Sequence, residues 1–370
     1  MASAGNNNND DNKSSPIKVG VVGFGMSAEV FHCPLITSCP RMTLCAVVER
    51  HRNRSSDKYP DIAVVRSLDD LLAIPDIDLV VIATANDTHA DYAERVLRAG
   101  KHCVVEKPFT VTSDEARHLC DVAKMTGKVL SVFHNRRWDG DFLTVKDILA
   151  KGVLGEVVEV ESRFDRFRAF KKPNAWRETT DFPASGVLYD LGSHLFDQAL
   201  TLFGEPETIF AHIRNERRIE NGPDDSFLAI LNYPALNLRV VCRAGMLVRT
   251  PPPRFSLFGT KGSFIKYGLD VQENQLKQGL TPATNPDVFG VDVPENHGQL
   301  ELDTDGATAT AKSCLVETKR GQYLKYYENI ADAILGTGKL EVTPEQAAKV
   351  IRLIELAKLS DAEGRVVKIE

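Results

Sequence analysis

The chain has 370 residues, which is long for one ordinary hydrophobic core and suits two domains. Hydrophobic residues make up 43% and charged residues 26%, the ordinary balance of a soluble globular protein. The formal net charge of −6 argues against a nucleic acid or an anionic membrane as partner, and no apolar run approaches the roughly 20 residues of a membrane span.

Residues 1–15 are rich in Asn, Ser and Asp and read as a disordered tail, without the features of a secretory signal or transit peptide. Ile17 to Val22 is a short, mostly apolar run, as a buried parallel strand requires. A glycine turn follows, then a helical stretch from Ser27 to about Ser38 that Pro34 should interrupt. Thr43 to Val48, Leu79 to Ala85, His102 to Val105 and Lys128 to Phe133 read as further strands. Leu68 to Leu72, Thr88 to Ala99 and Thr112 to Thr126 read as helices between them. Such alternation predicts a doubly wound parallel sheet with helices on both faces.

Beyond Phe133 the pattern changes. Glu156 to Arg168, Thr208 to Ile213, Ser226 to Tyr233, Leu238 to Met246 and Arg254 to Gly259 are strand-like with few helices between. They predict an open, largely antiparallel sheet in an α+β domain. Residues 272–320 are polar and Gly/Pro-rich and carry no readable element. Helices return at Tyr323 to Leu335 and Thr343 to Leu359, the latter opening on Thr343-Pro344-Glu345. The expected division is a tail over 1–15, one domain over 16–133 and a second over 134–370, with the C-terminal helix able to pack back on the first.

The turn Gly23-Phe24-Gly25 with Ala28 follows a strand and opens a helix, the context of a dinucleotide fingerprint. The first Gly permits the tight turn, the second lets the backbone approach a pyrophosphate, and the helix N-terminus offers N–H groups to the phosphates. Glu49 ends the second strand where an acid that binds the adenosine ribose is expected, which favours NAD. Arg50, Arg52 and Arg54 follow, and any of them could pair with a 2′-phosphate, which favours NADP.

Two segments carry candidate chemistry. Glu106-Lys107-Pro108 ends a parallel strand, where ligands of such sheets bind. In Gly186 to Asp197, Asp190 and His194 lie four apart and would share a helix face. Oxidising a carbinol carbon requires removing its hydroxyl proton. His194 as base, Asp190 as its orienter and Lys107 as a positive stabiliser meet that need. Aromatic, Arg and Asp residues in His134 to Asp139, Arg163 to Arg168 and Trp176-Arg177 suit a polyhydroxylated ligand. Asn135, Arg137, Trp138, Arg166, Trp176 and Arg177 are the substrate candidates. The nine histidines are scattered and never at HxxxH spacing, so no metal site is expected. The seven cysteines form no CxxC pair, as suits reduced thiols in a cytoplasmic enzyme.

With Gly23-Phe24-Gly25-Met26-Ser27, Thr84-Ala85-Asn86-Asp87-Thr88-His89, Glu106-Lys107-Pro108 and Asp190-Leu191-Gly192-Ser193-His194, the chain resembles the glucose-fructose oxidoreductase / inositol dehydrogenase / MocA family from Pro16 to Glu370. Phe133 to Asp139 and Ser162 to Arg168 look closest to a YdgJ-like branch neighbouring NADP-linked scyllo-inositol dehydrogenases. The resemblance implies a Rossmann domain and an α/β domain that carries the substrate site and the contacts of a homodimer or homotetramer. It implies catalytic roles for Lys107, Asp190 and His194. Cofactor contacts are implied at Gly23, Phe24, Gly25, Met26, Ser27, Glu49, Arg50, Arg54, Thr84, Asn86, His89, Glu106 and Lys107. Asn86 and His89 would line the nicotinamide side. The sequence departs from the family pattern at Ala85 and at Glu49-Arg50, yet the NADP-linked neighbours tip the expectation slightly toward NADP. The expected activity is hydride transfer between nicotinamide and a carbinol carbon of a sugar or cyclic polyol. Two other functions share this fold: a non-catalytic NAD(P)-binding regulator, and a glycosidase that uses NAD within its cycle.

Overall fold

The computed structural model describes residues 15–171, 178–303 and 311–369. Apart from Ser15, the expected tail lies outside them, as do Trp176 and Arg177.

Six strands form a fully parallel sheet: β1 (Ile17–Val22), β2 (Met42–Val48), β3 (Ala63–Val65), β4 (Leu79–Ile82), β5 (His102–Val105) and β6 (Leu130–Val132). Their order is β3-β2-β1-β4-β5-β6, so the winding reverses between β1 and β4. The crevice at the C-terminal ends of those two strands is where such sheets bind ligands. β1 and β4 are buried almost throughout, as apolar runs covered on both faces must be.

The covering helices are α1 (Cys33–Ser38), α2 (Arg54–Lys58), α3 (Leu68–Leu72), α4 (His89–Arg98) and α5 (Ser113–Thr126). α5 is set by a reciprocal Thr112/Glu115 capping box and stopped by Gly127 in the left-handed conformation. Pro34 does not interrupt the first helix. A π-helical turn over Ala28–His32 leads straight into α1, and Pro34 falls in its first turn, where an N–H is dispensable.

Nine strands form the second sheet: β7 (Val157–Arg163), β8 (Thr208–Arg214), β9 (Ser226–Tyr233), β10 (Leu238–Gly245), β11 (Phe255–Gly259), β12 (Gly262–Lys266), β13 (Gly298–Asp303), β14 (Ala311–Val316) and β15 (Val367–Lys368). Their order is β14-β13-β12-β11-β7-β10-β9-β8-β15. All pairings are antiparallel except that of β7 with β10. The stretch that carried no readable element holds a short helix and the β13–β14 pair. Alternation in Gly298–Asp303 is spread over a polar, half-exposed strand, so its apolar signal is faint.

Five more helices complete the fold: α6 (Gly140–Lys151), α7 (Ser193–Phe203), α8 (Gln272–Lys277), α9 (Leu324–Leu335) and α10 (Pro344–Glu363). The last two lie against the first sheet's layers. Tyr326 and Tyr327 of α9 share a core with Val19, Val21, Val104 and Phe133. On α10, Glu355 accepts from Ser113 N at 2.7 Å, and its other oxygen accepts from the Ser113 hydroxyl at 2.5 Å.

Candidate active site

Two cavities open at the C-terminal edge of the parallel sheet. The first, about 560 Å3, is bounded by the glycine turn, Glu49, Arg50, Arg52, Arg54, Arg66 and Thr84. The second, about 490 Å3, lies between that edge and the nine-stranded sheet and takes in Met26, Ser27, Glu106, Lys107, Asp190 and His194. Both have the size of a small-molecule site.

The turn between the cavities fits a dinucleotide. Gly23 has φ +93°, and a Cβ there would stand 2.8 Å from the Ala83 carbonyl oxygen, so only glycine closes this turn without strain. A Cβ on Gly25 would meet no heavy atom within 4 Å. The backbone is thus bare toward the cavity, at a helix N-terminus whose amides can receive phosphate oxygens.

Glu49 borders the first cavity, with most of its acceptor capacity already in use. It is buried, and its carboxylate accepts from Arg54 N at 3.2 Å, Ser55 N at 2.7 Å and the Ser55 hydroxyl at 2.5 Å. An acid that holds the start of α2 in this way has little acceptor capacity left for sugar hydroxyls. Around it Arg54 pairs with Glu29 and lies 5.9 Å from the Phe24 ring, Arg66 bonds backbone carbonyls, and Arg50 is exposed.

His89 departs from expectation. It is wholly buried, with Nδ1 2.8 Å from the Pro108 carbonyl and Nε2 3.4 Å from that of Thr84. It braces the Lys107-Pro108 loop from behind rather than lining the nicotinamide side, and burial lowers its pKa below the ordinary value. Asn86 Nδ2 donates to the Ala184 carbonyl at 2.9 Å, while its buried Oδ1 has no partner among the described residues. Thr84 lines the first cavity and its hydroxyl bonds that of Thr88 at 2.6 Å.

Lys107, Asp190 and His194 converge on the second cavity. Lys107 Nζ donates to Asp190 Oδ1 at 2.7 Å and to the Asp190 carbonyl at 2.9 Å. Asp190 therefore holds Lys107 through both its carboxylate and its backbone carbonyl. The cause is local: Leu188–Gly192 form a π-helical turn before α7, so the fourfold spacing of an α-helix does not set where Asp190 points. The entry to this helix is fixed by Asp224, whose carboxylate accepts from Leu188 N at 2.7 Å and would collide with any Cβ on Gly186. His194 is 5% exposed, and its Nδ1 has no partner among the described residues. Burial first, then the charges of Lys107 and Arg136, hold its pKa well below the ordinary histidine value.

Of the substrate candidates, Asn135 and Arg166 line the cavity. Arg137 and Trp138 do not. Arg137 is buried behind the site, donating to both Asp197 oxygens at 2.6 and 2.9 Å and to the Glu341 carbonyl. Trp138 packs edge-on against Tyr326. A short 3-10 turn over Asn135–Trp138 sends the neighbour, Arg136, into the cavity instead, where it pairs with Glu273 at 2.7 Å. Sequence reading named the segment that holds Arg136 but not that residue as a candidate, and it missed Glu273, Arg217 and Asp224. It also missed His32, whose Nε2 stands 2.9 Å from Glu106 Oε1. His32 sits next to Phe31 in an apolar helix, and no spacing rule links it to a residue 74 positions on. Among the described residues no group of three or more His, Cys, Asp or Glu could hold a metal ion, and no helix is long and apolar enough to cross a membrane.

Comparison with known proteins agrees with this layout. Residues 17–134 match a family model described as the oxidoreductase family, NAD-binding Rossmann fold, and residues 146–369 match its C-terminal alpha/beta domain. The uncharacterized oxidoreductase YdgJ of Escherichia coli is 43% identical over 93% of this chain and 96% of its own length. The scyllo-inositol 2-dehydrogenase (NADP(+)) IolW of Bacillus subtilis is 37% identical over 97% of each chain. The solved structure of the Bacillus subtilis oxidoreductase yvaA, 36% identical, superposes with a TM-score of 0.91 over 96% of this chain and 99% of that one. Matched along both halves, the chain belongs to the GFO/IDH/MocA oxidoreductase family, with an NAD-binding Rossmann fold at its N-terminal end.

Proposed function

We propose that the chain interconverts an alcohol and a ketone on a sugar or cyclic polyol, with NADP as its preferred cofactor. The observation that carries this reading is the convergence of Lys107, Asp190 and His194 on one cavity at the C-terminal edge of the parallel sheet. When bound, the nicotinamide accepts or returns a hydride at the carbinol carbon. In the oxidative direction the hydroxyl proton passes to the His194 imidazole as the C–H bond gives up its hydride. The Lys107 ammonium, fixed by Asp190, lies near the oxygen and stabilises its developing negative charge. Asn135, Arg136 and Arg166 supply donors for the remaining hydroxyls.

The preference for NADP rests on Glu49. Its carboxylate is engaged by α2, so it has little acceptor capacity left to offer a ribose 2′-hydroxyl. Arg50 and Arg54 border the same cavity and can receive that phosphate. The printed name of IolW as an NADP(+) enzyme supports the same choice.

A spectrophotometric screen of sugars and inositols with NAD and NADP in parallel tests both parts. Turnover with NADP, lost in Lys107→Ala, is expected. Near-wild-type turnover in Lys107→Ala would contradict the chemistry, and equal or better efficiency with NAD would contradict the cofactor assignment.

A further inference from the structure

A buried chain of polar groups ends at Glu106 and takes no part in the steps above. Ser27 donates to Glu106 Oε1, and His32 Nε2 stands 2.9 Å from the same oxygen. Lys107 N donates to Oε2 at 2.9 Å. On its far side His32 Nδ1 stands 2.6 Å from the Tyr327 hydroxyl. His32 and Tyr327 have no exposed surface. Three parts of the fold meet here: the helix after the glycine turn, the end of β5, and α9.

Hydrogen-bond accounting selects one arrangement of protons. Groups this deeply buried need partners. A neutral imidazole with its proton on Nε2 satisfies all of them: the Tyr327 O–H donates to Nδ1, and Nε2–H donates to Glu106. An imidazolium would donate from Nδ1 to the tyrosine oxygen, leaving the tyrosine proton with no acceptor among the described residues. The chain therefore gives Glu106 a donor and not a counter-charge. Burial pushes the Glu106 carboxyl up, but the hydrogen bonds from His32 and Ser27 and the charge of Lys107 draw it below the ordinary carboxylate range.

We infer that His32 and Tyr327 are positioning residues that hold Glu106 as a carboxylate beside the nicotinamide end of the cofactor, so that the protein binds the oxidised, cationic ring more tightly than the reduced, neutral one. This rests on the placement of cofactor and chemistry proposed above. A negative charge beside a cationic ring in a partly desolvated cleft is worth on the order of 10- to 100-fold in relative affinity. Tighter binding of the oxidised form makes the bound reduced form a stronger hydride donor, which tilts the enzyme toward carbonyl reduction.

The test needs no turnover. Dissociation constants for NADP+ and NADPH are measured by calorimetry on wild type, Glu106→Gln, Tyr327→Phe, His32→Leu and His32→Gln. Wild type is expected to favour NADP+. Glu106→Gln should reduce that preference at least tenfold, mainly by weakening NADP+. Tyr327→Phe removes the donor that holds the imidazole in place and should shift the ratio the same way by less. His32→Leu should lose most of the preference, and His32→Gln, which keeps an N–H donor toward Glu106, should retain most of it. Equal weakening of both forms in Glu106→Gln and Tyr327→Phe would reduce the chain to a structural role and overturn the inference while leaving the proposed function intact. A wild type that binds neither form would overturn both.

Discussion

Gly23 and Gly25 stand two residues apart in one turn, yet the structure gives them separable tasks. In Gly25→Val the new Cβ meets no heavy atom within 4 Å, and Gly25 has no positive φ. The stability of the free protein should therefore change by no more than about 0.5 kcal/mol. The valine occupies the space through which a pyrophosphate would reach the helix amides, so affinity for NADP should fall on the order of 100-fold, about 2.7 kcal/mol. Gly23→Ala is the converse. A left-handed backbone costs a residue with a Cβ about 1–2 kcal/mol, and the 2.8 Å approach to the Ala83 carbonyl forces the turn to move, for a total of about 2–3 kcal/mol. Urea unfolding of the free protein and fluorescence titration with NADP read the two quantities separately. A Gly25→Val protein as unstable as Gly23→Ala, or one that binds NADP like wild type, would refute the assignment of Gly25 to the cofactor.

Arg137→Ala breaks a buried pair with Asp197 and should cost about 3–5 kcal/mol in urea unfolding, with the KM of the folded enzyme for its polyol unchanged. A raised KM without loss of stability would return Arg137 to the substrate site. Asp190→Asn removes the charge that fixes Lys107 and should lower kcat roughly 10- to 100-fold while leaving the NADP dissociation constant alone; an effect confined to cofactor binding would count against the pairing. Burial, outweighing the Asp197 charge, brings His134 from 6.5 down to about 4. Between those values the unfolded chain binds the extra proton, so stability rises with pH across the window and falls by up to about 3 kcal/mol as pH drops from 6.5 toward 4. His134→Leu should flatten that part of a stability–pH curve, and a curve of unchanged slope would show that the ring ionises in place.

The parallel half was legible because its signals are local. Each buried strand is an apolar run, each long helix carries its own start and stop, and the glycine turn sits between a strand and a helix. Thr343-Pro344 announced α10 for the same reason, through a reciprocal cap with Gln346. The outer strands of the second sheet were not legible, because β12 to β14 on one side and β15 on the other are short or half-polar and owe their order to neighbours far along the chain. Val367 in β15 pairs with Ile209, and neither residue carries a trace of the other.

Side-chain types at the site were readable where side-chain partners were not, and three acids show why. Glu49, Asp190 and Glu106 each sit at a position where chemistry calls for a carboxylate. In the structure Glu49 turns to the amides of α2, Asp190 to Lys107 across 83 residues, and Glu106 to His32 across 74. A carboxylate has several lone pairs to satisfy, and in a cleft of low polarity it takes the nearest donors available. Those donors are fixed by backbone geometry: a first helical turn beside Glu49, a π turn that re-aims Asp190, and a helix that carries His32 under β5. The proposed preference for NADP, the fixing of Lys107 by Asp190 and the charge proposed for Glu106 each rest on where one carboxylate found its donors. None of the three could have been settled by naming the acid alone.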